Sequence, residues 1–145
     1  MSFSYRSYSV PTLSRASAVL GKNNTGSTIP KATVVQINAT DLDLVDPSVE
    51  ADVNATVGVT ISSIANTQTG EVIDSGTIED VTGTFTFGDT VYLSKTGTLT
   101  EDAPTIGVNS FVHGDYIIKV GVIIKNALIP AQKDLLVNLE IVGQL

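Results

Sequence analysis

Few residues in this chain of 145 have the type and spacing for chemistry. His113 is its one histidine, and His113-Gly114-Asp115 sets an imidazole two residues from a carboxylate, the raw material of a general base. No serine, threonine or second acid is tied to that pair by a motif, so a surface turn is the simpler reading. Asp41, Asp43 and Asp46 lie in DLDLVDPSVEAD, the densest acidic stretch. A hand-type calcium loop needs a central glycine and a closing bidentate glutamate at fixed spacing, and this stretch has neither. A loop with one helical turn, Asp46 capping and Pro47 at its first position, fits instead. The segment GKNNTGST, Gly21 to Thr28, matches a phosphate loop in composition alone, without the GK[ST] ending before a helix, and reads as a flexible hinge. Cysteine is absent, which removes disulfides, thiolate zinc sites and cysteine nucleophiles. The expectation is a non-enzyme without catalytic residues, cofactor or metal.

Binding chemistry is more concentrated. Residues 1–40 hold Arg6, Arg15, Lys22 and Lys31 and no acid, whereas the remaining 105 hold all 15 acids against four lysines. A basic segment on an acidic body can dock on an acidic surface or on a neighbouring copy of that body. Four cations spread over 40 residues are too thin for nucleic acid, where lysine and arginine cluster on one face. Three of the eight aromatics, Phe3, Tyr5 and Tyr8, fall in the first eight residues. Phe3 and Tyr5 share one face of an extended segment, with Arg6 and Tyr8 on the other. Phe3, Tyr5, Arg6, Tyr8 and Arg15 are therefore the candidate partner-binding residues, aromatic anchors beside planar donor forks.

These groups need a body to carry them. Residues 1–30 read as an extended, serine-rich arm, with a weak local helix signal from Leu13 to Leu20, and residues 31–145 as a single β-domain. The most legible stretch is TFTFGDTVYLSKTGTLT, Thr84 to Thr100, whose alternation predicts a β-meander: a strand at Thr84–Phe87, a turn at Gly88-Asp89, a strand at Val91–Leu93, and a turn ending at Gly97 that returns Leu99 beside Leu93. Further strands are expected at Lys31–Asn38, Thr56–Ile64 and Glu71–Val81, with Thr69-Gly70 as a turn. Two apolar strands, Ile117–Lys125 and Leu135–Val142, close the chain around Pro130. Gly58 and Gly121, each inside a strand pattern, mark bulges or close approaches of another backbone. The fold class is all-β, a barrel or jelly-roll-like sandwich of seven or eight strands. No apolar run approaches the roughly 20 residues of a membrane helix and no signal-peptide core is present, so an unexported, soluble protein is expected. The chain is 42% hydrophobic with mean hydropathy +0.25, and the closing strands are apolar on both faces, which predicts self-association, as a trimer in preference to a dimer.

The order of turn glycines and strand hydrophobics, Val57-Gly58-Val59, Gly70-Glu71-Val72 with Gly76, Phe85 with Gly88-Asp89 and Val91-Tyr92-Leu93, Gly97 with Leu99-Thr100, then Gly121-Val122, resembles small β-rich modules of tailed bacteriophage virions. Head decoration or cement proteins and head-fibre or tail-fibre modules are of this kind, and the likeness covers about residues 30–142. It implies a virion structural protein without catalysis, assembled in the host cytoplasm, that sits on the capsid exterior, binds the major capsid protein and clamps neighbouring subunits. A tail-fibre or adaptor module and a carbohydrate-binding β-domain are the alternatives.

Overall fold

Val34 and Val35, adjacent in sequence and both fully buried, point to opposite faces of one strand and into different cores. This division organises the chain, which a computed structural model describes over residues 18–145. The elements are β1 (Ala18–Asn23), β2 (Val34–Asn38), β3 (Asp41–Leu44), α1 (Glu50–Asn54), β4 (Thr56–Thr60), β5 (Thr69–Ile73), β6 (Ser75–Ile78), β7 (Thr90–Leu93), β8 (Leu99–Thr100), β9 (Tyr116–Lys125) and β10 (Lys133–Gln144).

The first five strands close into a barrel in the order β1-β3-β2-β4-β5. Closure comes from β1, antiparallel to β5 over Ala18↔Ile73 to Lys22↔Thr69 and parallel to β3 at Lys22↔Asp41 and Asn23↔Leu42. Five strands enclose little space, and Ile29, Val35, Leu42, Ile64 and Val72 fill it. The other five form an open antiparallel sheet, β6-β10-β9-β7-β8. Its inner face, including Ile78, Val91, Leu93, Ile118, Val120, Ile123, Leu135 and Val137, packs with Val34, Val45 and Val59 from the barrel side and Val53 of α1. The expected all-β class with a barrel is what the chain adopts.

Both strand glycines sit where the sequence reading places a bulge or a close approach. The β2–β4 register slips next to Gly58 and the β7–β9 register next to Gly121. A Cβ on Gly58 would run into the Ile73 carbonyl, and one on Gly121 into the Leu136 carbonyl. The closing hairpin, the Leu93↔Leu99 pairing and the left-handed Gly97 (φ +88°) also match expectation.

Other expectations need correction. The body does not begin at residue 31: Ala18–Asn23 is a barrel strand paired on both sides and Ile29 is a core residue, so neither an arm to residue 30 nor a helix reaching Leu20 describes residues 18–30. Thr84–Phe87 is not a strand. Its alternating phenylalanines cap the edge of the main core from a loop, with the Lys125 and Lys133 ammonium groups 5.3 and 5.7 Å from the centre of the Phe87 ring. Glu71–Val81 is two strands in two sheets, parted at Asp74. Thr69 and Gly70 belong to β5, and the turn lies at Asn66-Thr67. Asp46 and Pro47 precede α1 without capping it; Asp46 instead accepts from the Ser48 amide and hydroxyl. Ten strands are present among the described residues, not seven or eight.

Gly121→Ala is expected to lower unfolding free energy by about 1–3 kcal/mol, since backbone rather than a flexible side chain stands in the way. Gly143→Ala, with open space around it, is expected to change it by less than about 0.5 kcal/mol. Urea titrations of the two variants check the contrast.

Candidate functional site

The residues singled out for chemistry are used to build loops. The Asp115 carboxylate is not shared with His113, which is exposed; it is buried and takes the Lys95 ammonium at 2.6 Å and the Val112 amide at 2.9 Å. Burial pushes the Asp115 carboxyl up, but the Lys95 bond, the Val112 amide and the Lys95 charge outweigh it and leave it below the usual range. Phe111, buried, anchors the same loop with the Lys95 ammonium 5.9 Å from its ring centre. Of the acidic stretch, Asp41 accepts from Asn24, Asp43 from the Leu44 amide, and Asp46, lowered chiefly by its Ser48 bonds, closes a turn.

Gly21–Thr28 is not a hinge. Asn23 is fully buried and donates to the Ser27 and Ile64 carbonyls while accepting from the Thr25 amide and hydroxyl, so one side chain fixes the loop. Phe3, Tyr5, Arg6, Tyr8 and Arg15 lie outside the described residues.

A second buried carboxylate was not flagged by the sequence. Asp134 accepts from Gln132 (2.9 Å), the Asp80 amide (3.0 Å) and Asn126 (3.0 Å). Burial raises its pKa, and these three donors, with Lys31 at longer range, bring it below the ordinary 3.8. The network reaches the β9–β10 turn, where the Asn126 side-chain oxygen receives the amides of Leu128 and Ile129 at 2.9 Å each.

A concavity of about 830 Å³ opens between the barrel and the β8 side of the sheet. Pro30–Thr33, Leu44 and Ser63 form the barrel side, Asp80–Phe85 one wall, and Thr96–Leu99 the other. The barrel side is stiff: the Thr33 and Thr60 hydroxyls both donate to the Pro30 carbonyl, at 2.7 and 2.8 Å. Across the groove, hydroxyl contacts of Ser94 with Thr96 (3.0 Å) and Thr98 (2.9 Å) hold the β7–β8 turn. Lys31 reaches over to the Asp80 carbonyl at 2.9 Å. The lining is made of threonine and serine hydroxyls, backbone and apolar side chains, with Lys31 and Asp80 as its charged members. Five separate stretches of chain make the groove, and the signal available for it was the clustering of threonine and glycine in residues 82–84 and 96–98.

No protein-family model and no curated protein matches this chain.

Because the folded pKa values of Asp115 and Asp134 are depressed, their stabilisation is present above the unfolded value of 3.8 and is lost as pH falls through the lower folded values. Thermal melting is therefore expected to hold steady from neutral pH to about pH 5 and then fall. Asp134→Asn, which turns a donor toward other donors, is expected to cost about 1–3 kcal/mol at neutral pH and to flatten the acid limb.

Proposed function

We propose that this protein is a non-enzymatic virion structural protein of the head-decoration type, which self-associates, binds the outer capsid surface and clamps neighbouring major capsid subunits. The virion part rests on the sequence resemblance of residues 30–142. The binding part rests on one observation: Leu128, 91% exposed, heads a turn that Asn126 and the buried Asp134 hold rigid, with Ile129 and Pro130 beside it. A large apolar side chain held out on a pre-organised turn loses little entropy when a partner covers it. Ile106, Val108 and Val112 are likewise exposed on the loop that Phe111 and the Lys95–Asp115 pair hold in place. Use of the buried carboxylates as loop fasteners supports a binding role over a reactive one.

The test is a binding assay on undecorated heads. Leu128→Asp is expected to weaken binding roughly tenfold or more with unchanged melting, and His113→Ala to leave binding intact. Equal binding by wild type and Leu128→Asp would show that the turn is not the contact, and no binding by wild type would overturn the decoration reading. Light scattering of the free protein is expected to give a trimer.

A further inference from the structure

We propose that the groove beside β8 receives residues 1–17 of a second copy of this chain, laid along β8 as an added strand. This rests on the reading of the protein as self-associating and names the contact.

The main-chain pattern comes first. The Ser94 amide donates to the Thr98 carbonyl at 2.8 Å. Bonded and non-bonded pairs alternate in an antiparallel ladder, so the next pair, Leu93↔Leu99, is non-bonded. The Leu99 N–H and C=O therefore turn away from β7 toward the groove that Leu99 lines, and β8 has no neighbour on that side in the sheet. On the facing wall, the main-chain groups of Thr82, Gly83, Thr84 and Phe85 make no hydrogen bond among the described residues. A cleft with unpaired backbone on both walls fits an extended polypeptide, whose main chain supplies donors and acceptors alternately. Val81, Phe85 and Leu99 offer apolar seats between the hydroxyls for every second side chain.

Charge selects the segment. Residues 18–145 carry six lysines against 15 acids, with Asp80 at the groove wall and Lys31 already bound to it. Residues 1–17 carry Arg6 and Arg15 and no acid, with alternating aromatics at Phe3 and Tyr5. The self-association reading supplies a second copy as the source of the segment. Seventeen residues extend at most roughly 56–61 Å, enough to reach a neighbour placed head to tail. Such contacts between unlike surfaces close into rings, as a trimer requires.

Sedimentation of the full chain across a concentration series tests this. Thr84 is exposed and makes no hydrogen bond among the described residues, so Thr84→Arg should keep the melting temperature while placing bulk and positive charge in the groove. It is expected to weaken self-association roughly tenfold or more, as is the double variant Arg6→Glu/Arg15→Glu, which leaves the barrel unaltered should Thr84→Arg fold poorly. A labelled peptide of residues 2–17 should bind dilute wild-type protein and lose that binding with Thr84→Arg. Unchanged assembly of well-folded Thr84→Arg, or of the double variant, overturns the groove contact and leaves self-association standing. A wild-type monomer at every concentration overturns both.

Discussion

The barrel wall serves two cores at once, and the rest of the structure depends on that. Val34 faces the sheet while Val35 fills the barrel, and Val59 and Val72, on neighbouring strands, divide in the same way. A strand buried on both faces cannot slip by one residue without moving its side chains into the wrong core, so register is fixed from both sides. The bulge beside Gly58 belongs to this constraint. It lets β4 change phase between Val57, packed on the barrel interior, and Val59, in the main core, although the two are separated by one residue.

With both cores apolar and closed, polar chemistry is left to the connections. Asp115 and Asp134 are buried at opposite ends of β9, and each fastens a long loop by drawing donors from segments far apart in sequence. Such networks specify one loop conformation because a buried carboxylate missing a donor is costly. Their product is a rigid surface: the turn carrying Leu128 and the loop carrying Ile106, Val108 and Val112 present apolar side chains in fixed positions.

What was legible in the sequence is what local rules determine. The β9–β10 hairpin, the Leu93↔Leu99 pair and the two strand glycines follow from short-range alternation and turn chemistry. Phe85 and Phe87 have the same alternation and form no strand, because a period of two reports which side is apolar and not whether a partner strand is present. β1 was missed because AVLGKN has little alternation of its own; its place comes from pairing with β5 about 50 residues later and from Asn23, whose buried bonds make a strand end of what looked like a hinge. The surface turn expected at His113-Gly114-Asp115 is what forms, with His113 exposed. The partner of the Asp115 carboxylate was not legible, because the fold brings Lys95 there from 20 residues away. The groove was invisible because its walls meet only after both sheets have formed.

The two sheets also differ in what they leave open. Closure removes every edge from the barrel, whereas the second sheet ends at β6 and β8. Exposed edges invite pairing with other chains, and proteins commonly limit them by keeping edge strands short. β6 has four residues and β8 two, which restricts indiscriminate addition along either edge. They are not equivalent, however. β6 buries its own Ile78 in the main core, while β8 borders a groove whose far wall also has backbone that is unbonded among the described residues. An incoming segment at β8 would thus meet two partners where an ordinary edge offers one. That geometry favours one defined addition over open-ended stacking, because once the cleft is filled neither wall remains free to template another strand.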